Sequence, residues 1–380
     1  MIWLFICSVV FVLYTYIVFP VVLHYRAAGK RLPQPEPIAD NHLLPSVSIV
    51  IAARNERDSL PAKLESLEKL DYPKDKIEWI IVSDGSTDGT ADYLNNAFAG
   101  FDNRTCIHYQ QSRGKSGALN EGVATASGDL ILFMDARQTV SANAARALVP
   151  YMADVTIGAA TGELILSEDS SLEAANVGVY WRYEKWIRDN ETRLTSITGA
   201  TGALYIIRRK DYIPNIIGTI LDDFETPVGL LKQGKRTVYV PGAYAFDTAN
   251  DDLDLEFRRK VRTLAGNWQS FLKNKWLFNP AKNPVWWQFL SHKLFRLLVP
   301  FALIAAFLSS AIGAFTGNVF LQYMFALQLL AYALSAASYA GLPGTKNKVL
   351  NFFKVFVQLN AAALVATIRY FGSTREISWR

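Results

Sequence analysis

Apolar runs divide the chain into a charge-free start, a middle where strand and helix patterns alternate, and an apolar end. Ile2 to Leu23 holds 22 residues without a charge, followed by His24, Tyr25 and Arg26. About 20 apolar residues cross a bilayer, so residues 1–24 are predicted to be a span. The run is longer than a signal-peptide core and lacks a basic start. Basic residues behind it place its carboxyl end in the cytoplasm. Residues 25–44, with Leu32-Pro33-Gln34-Pro35-Glu36-Pro37, read as a stiff linker.

From Pro45 the pattern becomes α/β. Val47 to Ala53 is an apolar strand ending in Arg54-Asn55-Glu56, and a helix follows over about Leu60 to Leu70. Ile77 to Ser83 is a second strand, running into Asp84-Gly85-Ser86-Thr87-Asp88-Gly89-Thr90. This strand–helix–strand order describes a right-handed crossover in a parallel sheet. Ile107 to Gln110 is a short third strand, Arg113-Gly114-Lys115-Ser116 opens a helix, and Leu130 to Met134 is a fourth strand stopping on Asp135. Beyond Gln138 come a helix near Ala142 to Met152, a strand near Gly158 to Leu166 and a helical Tyr180 to Trp186. A glycine turn, Thr198 to Gly202, then feeds a strand, and the acidic Leu221 to Thr226 precedes a helix, with Asp or Thr as its cap.

The end of the chain is apolar again. No charge lies between Arg296 and Lys346, room for two spans, Leu297 to Phe315 and Val319 to Ala340, turning at Gly317-Asn318. Lys346 and Lys348 return the chain to the cytoplasm. Val355 to Ile368 reads as a further, tilted span or as an interfacial helix; with the span taken, residues 297–371 are transmembrane and 372–380 a tail. Residues 271–296, with Trp276, Trp286 and Trp287 among lysines, read as an interfacial segment.

Composition sharpens this. Of 380 residues, 51% are hydrophobic and 19% charged, too apolar for an ordinary soluble enzyme. The net charge of +5 gathers beside apolar runs, which points to membrane lipid; with no zinc or groove-binding motif, nucleic acid is excluded as partner. Two cysteines support no disulfide framework, and the four histidines lack metal spacing. Asp84, Asp135 and Asp223 would converge at one sheet edge, where open α/β sheets bind ligands. Asp84 suits a base or ribose hydroxyl, Asp135 a cation holding a diphosphate, and Asp223 a general base. The alternatives are helix caps for Asp84 and Asp135, and Asp222 in place of Asp223. Lys115 and the basic cluster Arg258 to Arg262 would neutralise a departing diphosphate. No Gly-x-Gly-x-x-Gly follows the first strand, and Tyr109 stands where a P-loop needs its first glycine, which excludes hydride transfer and P-loop chemistry.

These motifs resemble family 2 glycosyltransferases of the GT-A group, which includes cellulose, chitin and hyaluronan synthases. The resemblance spans about residues 45–270: Val47 to Glu56, Asp84 to Thr90, Gly114-Lys115-x-x-Ala118-Leu119-Asn120, Gly199 to Asp223, and the basic run before Gly266-Asn267-Trp268-Gln269. It implies a Rossmann-like mixed-sheet GT-A domain in the cytoplasm, flanked by N- and C-terminal transmembrane helices. By resemblance, Ala53, Glu56 and Asp84 line the uridine site and Lys115 approaches the diphosphate or sugar. Asp135 is the first Asp of the Asp-x-Asp metal motif, for Mg2+ or Mn2+, and Asp223 is the base of Thr-Glu-Asp. Two positions depart from the family. Arg137 replaces the second metal-motif Asp, so that either a cation is still held by Asp135, the diphosphate and water, or Arg137 itself supplies the positive charge and metal dependence is weakened. Gln-x-x-Arg-Trp reads Arg259-Lys260-Val261-Arg262-Thr263, so Arg259, Arg262 and Trp268 would face acceptor and diphosphate.

The implied activity is inverting transfer from a nucleotide-diphosphate sugar, a UDP-sugar first, to a growing polysaccharide or a lipid-linked acceptor. The competing reading is an inactive or partner-dependent UDP-binding subunit of a synthase complex, motivated by Arg137.

Overall fold

The computed structural model describes residues 1–167, 172–248, 253–340, 342 and 348–372. These fall into two compact units, one bearing a sheet (Lys30–Ser167 and Glu191–Thr248) and one helical (Met1–Gly29, Glu168–Asn190, Ala249–Ile377). The loop at Lys346 and the tail after Gly372, both assigned from the sequence, lie outside the described residues.

The sheet unit is built on β1 (Val47–Ala53), β2 (Ile77–Asp84), β3 (Arg104–Tyr109), β4 (Leu130–Asp135), β5 (Thr139–Val140), β6 (Ile157–Ser167), β7 (Tyr205–Arg208) and β8 (Arg236–Thr248). Their spatial order is β3-β2-β1-β4-β7-β6-β8-β5. The first four run parallel, β7 antiparallel to β4 and β6, and β8 parallel to β6. The sheet is mixed, as the GT-A resemblance implied. Every residue of β1 is buried, which explains its unbroken apolar run: helices cover both faces of a parallel sheet.

The helices are α1 (Ile2–Ala27), α2 (Leu60–Glu68), α3 (Thr90–Phe98), α4 (Lys115–Thr125), α5 (Ala144–Leu148), α6 (Leu172–Leu194), α7 (Asp222–Lys232), α8 (Leu253–Lys273), α9 (Trp286–Phe315), α10 (Val319–Tyr339) and α11 (Lys348–Phe371). Two apolar layers sandwich the sheet. Leu60, Leu64 and Leu67 of α2 pack with Ile49, Ile51 and Leu132 on one face. Ala118, Leu119 and Val123 of α4 pack with Val50, Val82 and Phe133 on the other. The longest strand, β8, is absent from the sequence expectation. The strand runs through Pro241-Gly242 with a register shift against β6, where Thr161 pairs Tyr239 and Glu163 pairs Tyr244.

In the helical unit, α1, α9 and α10 are the three helices among the described residues that are long and apolar enough to cross a membrane. α9 begins at Trp286, so residues 286–296 of the expected interfacial segment are continuous with an apolar helix. α11 is not among the three; Lys348, Lys354 and Arg369 lie along it. α8 packs Val261 and Ala265 against Ala362 and Ala366 of α11, and so joins this unit rather than the sheet unit where the sequence put it. Some polar groups on these helices pair with one another. Glu184 pairs with Arg296 and accepts from His292 at 3.2 Å, and the Trp287 indole donates to the Tyr14 hydroxyl at 3.0 Å.

Candidate active site

The carboxyl ends of β1, β2 and β4 coincide. Ala52 lies opposite Asp135 and Ala53 opposite Ser83 in the strand register. The chain order reverses between β1 and β4, and such a switch point opens a crevice for a ligand. Two turns beyond these ends are knitted together. Asn55, in the left-handed region at φ 56°, accepts from the Thr87 amide at 2.8 Å through its side chain and donates its own amide to Ser86 Oγ at 3.1 Å. The Glu56 amide donates to Thr90 Oγ1 at 3.0 Å. Ala53 and Glu56 therefore sit on a braced rim, with Ala53 fully buried as the last residue of β1.

Asp84 is wholly buried. Its carboxylate accepts from Ser112 Oγ at 2.6 Å and from the amides of Arg113 and Gly114 at 2.7 and 2.9 Å. It thus fastens the turn that launches α4 and fixes where Lys115, the first residue of that helix, emerges.

Lys115 is the hub of the cleft. Its ammonium lies 2.8 Å from Asp135 Oδ1 and 3.1 Å from Asp222 Oδ1. Burial opposes its charge, but Asp135, Asp222 and Asp223 outweigh burial and hold its pKa above the ordinary lysine value. Desolvation alone would raise the Asp135 carboxyl, yet Lys115, with Lys63 and Arg137 behind it, holds it below the usual range. The acidic stretch is the first turn of α7 rather than a leader to it: Leu221 is the N-cap and makes no side-chain cap. Carboxylates in that first turn complement the helix N-terminus. Asp222 is 3% exposed and engaged with Lys115, whereas Asp223 is half-buried. The glycine turn is tied to α7 by the Ala200 amide, which donates to the Asp223 carbonyl at 2.8 Å. A Cβ on Gly202 would stand 3.2 Å from Asp223 Oδ2 and 3.5 Å from Asp135 Oδ2. The two carboxylates expected to carry the chemistry therefore flank one small space that glycine keeps open.

Arg137 does not face this space as a free cation. It pairs with Asp247 on β8, which also accepts from Gln138 Nε2 at 2.9 Å. Asp247 escaped sequence reasoning because it lies 110 residues away and belongs to no motif. Lys63 was missed too, although it carried a signal: it occupies the apolar stripe of α2 between Leu60 and Leu67. Its ammonium is wholly buried and donates to the Gln138 carbonyl at 2.8 Å.

For a divalent cation, Asp135 is the fitting donor, since its carboxylate is one-third exposed (33%) and Gly202 leaves room beside Oδ2. Among the described residues no three acidic, histidine or cysteine side chains form a metal-binding group. The remaining ligands would be diphosphate and water, a set that magnesium accepts.

Arg259, Arg262 and Trp268 lie on α8 in the helical unit. Trp268 is 9% exposed, donates to Thr367 Oγ1 at 2.9 Å and packs edge-on against Phe371 at 5.3 Å. Its ring serves helix packing, which differs from the open acceptor face expected of it.

Comparison with known proteins agrees with this architecture. Residues 48–213 match the model for glycosyl transferase family 2. The chain is 26% identical over 260 residues to a probable glycosyltransferase, YdaM, of Bacillus subtilis, covering 66% of this chain and 61% of that protein. It is 26% identical over 243 residues to a poly-beta-1,6-N-acetyl-D-glucosamine synthase of Staphylococcus aureus, covering 61% of this chain and 57% of the synthase. The chain thus spans about six-tenths of the length of these curated relatives. In fold it is similar to a solved mannosyltransferase from Pyrobaculum calidifontis, in complex with GDP-Man and Mn2+. The TM-score is 0.73 at 20% identity, over 97% of this chain and 98% of that one. Residues 48–213, which contain the switch-point cleft and most of its ordered motifs, are thus similar to the glycosyl transferase family 2 domain, and the fold is that of a solved sugar transferase.

Proposed function

We propose that the protein is an inverting, membrane-embedded transferase that moves a sugar from a UDP-sugar to a growing polysaccharide or a lipid-linked acceptor. Its catalytic domain faces the cytoplasm. The observation that carries the reading is the clustering of Lys115, Asp135, Asp222 and Asp223 around the Gly202 gap at the carboxyl edge of the sheet. Asp223 takes the proton of the acceptor hydroxyl, whose oxygen attacks the anomeric carbon from the face opposite the nucleotide. The bond to the diphosphate breaks, and the nucleoside diphosphate departs with the bonding pair. Lys115 meets the charge that grows on the leaving oxygens, in a cleft where fixed charges act more strongly than in water. Asp135 holds the diphosphate side of the cleft; a divalent cation, when bound there, supplies further positive charge. Asp84 acts on the nucleotide end through the Ser112–Gly114 turn that it fastens.

The test is nucleoside diphosphate release by membranes carrying the full chain, over a panel of UDP-sugars with GDP-mannose included, with and without EDTA. Release from one UDP-sugar, lowered at least 100-fold in Asp223→Asn, is expected. Release unchanged in Asp223→Asn removes the base, and release from GDP-mannose alone replaces the donor. Product length separates the acceptors: a ladder means polymer, a single step a lipid-linked acceptor. Nucleotide binding without release from any donor returns the competing reading of a non-catalytic subunit.

A further inference from the structure

Lys63 presents a cation where the helix pattern asks for a hydrocarbon. Leu60, Lys63, Leu64 and Leu67 form the buried face of α2, and Lys63 is 0% exposed. No carboxylate lies within ion-pair distance of its ammonium among the described residues. Its contacts are the Gln138 carbonyl at 2.8 Å and Met134 Sδ at 3.5 Å. A buried lysine with no carboxylate in contact, the Asp135 charge acting on it only from a distance, is unfavourable, and a leucine or methionine there would pack at far smaller cost. The two groups it touches bracket the Asp135 turn: Met134 precedes Asp135 on β4, and Gln138 closes the turn into β5. From the other side, Asp247 of β8 holds the same turn through Arg137 and Gln138. The Asp135 loop is thus clamped between α2 and β8.

We propose that Lys63 is a positioning residue for sugar transfer, holding the turn from Asp135 to Gln138 from behind so that Asp135 faces the donor diphosphate at a fixed place. The proposal rests on the reading of Asp135 as the diphosphate-side carboxylate. Fixing a reacting geometry matters because a misplacement of about 1 Å can lower rate about 100-fold.

The experiment uses the full chain in detergent with the donor that the wild type turns over, and compares Lys63→Met, Lys63→Gln and Asp135→Ala. The readouts are kcat, donor KM and thermal midpoint. Lys63→Met is expected to lose about 10- to 100-fold in kcat with little change in KM, while its midpoint stays level or rises. Lys63→Gln keeps an N–H for the Gln138 carbonyl and is expected to recover part of the loss. A merely structural lysine gives the reverse, a lower midpoint with kcat kept, and that result overturns the proposal. If Lys63→Met does not fold, Lys63→Gln decides: a normal midpoint with lowered kcat supports positioning, and wild-type kcat overturns it. Wild-type kcat in Asp135→Ala overturns the donor-site reading and this proposal with it. An inactive Asp135→Ala beside a fully active Lys63→Met overturns the positioning role alone.

Discussion

Removing the ammonium at the centre of the cleft, Lys115→Met, tests the electrostatic account most directly. The ammonium stands 2.8 Å from Asp135 and 3.1 Å from Asp222, with 19% of the lysine side chain and 4% of the Asp222 side chain exposed. At an effective dielectric of about 20 the two attractions are worth ~6 and ~5 kcal/mol before desolvation is counted. Desolvation of three charges offsets most of that, and deleting one partner of a buried pair leaves a net loss of about 3–5 kcal/mol. For a unit of this size each kcal/mol lowers Tm by about 2–4 °C, so Tm at pH 8 is expected to fall by about 6–20 °C. The size of the loss should also depend on pH. In the wild type the Asp135 carboxyl sits below its ordinary value, so its contribution is present above the unfolded value, about 3.9, and is lost as pH falls through the folded one. In the variant two carboxylates within about 6 Å of each other share no cation, so one is pushed up. Protonating it relieves the repulsion, so the Tm deficit relative to the wild type should shrink as pH is lowered from 8 to 5.5. Thermal unfolding of the full chain in detergent at both pH values reads this, with nucleotide release in parallel, expected to fall at least 100-fold. A variant with the wild-type Tm at pH 8, or one whose deficit against the wild type is no smaller at pH 5.5 than at pH 8, refutes the reasoning.

Two further outcomes follow from the same geometry. Gly202→Ala puts a methyl 3.2 Å from Asp223 and 3.5 Å from Asp135, so transfer should drop about 10- to 100-fold with Tm within a few degrees, checked by release kinetics beside thermal unfolding. Burial pushes the Lys63 ammonium down to about 7, against about 10.4 unfolded, so between these values the unfolded chain binds more protons and stability rises with pH. The rise should be roughly 2 kcal/mol between pH 7 and 9 and absent in Lys63→Met, as read by unfolding midpoints across that range.

Much of the site was legible because it lies where strands end. β1, β2 and β4 are buried along nearly their whole length, so their apolar runs stop only where the chain leaves the sheet. A carboxylate directly after such a run, Asp84 or Asp135, must then stand at the carboxyl edge. What was illegible depends on contacts between distant segments. β8 went unread because Pro241-Gly242 interrupts its pattern, and local chemistry cannot announce that the Ile157–Ser167 strand alongside will absorb a bulge. The stretch Leu221 to Thr226 reads as a leader to a helix, yet Asp222 already belongs to the helix, since Lys115 rather than a side-chain cap meets its carboxylate.

Arg137 shows how such a contact alters the meaning of a residue. Read along the chain, it is damage to a metal motif: a cation stands where a second carboxylate should hold a metal, and the replacement looks either disabling or compensating. In the folded sheet unit it is neither, because Asp247 arrives on β8 and takes up the guanidinium. The pair leaves the charge around the Asp135 turn close to balance, and Gln138 joins it through the same carboxylate. The substitution thereby exchanges a possible metal ligand for a brace. Asp135 remains as the donor facing the Gly202 gap, on a turn held from β8 by Asp247 and from α2 by Lys63. On the proposed function, metal affinity and loop rigidity are separate matters in this chain: dependence on a divalent cation would turn on Asp135 and the diphosphate, and catalytic precision on the brace.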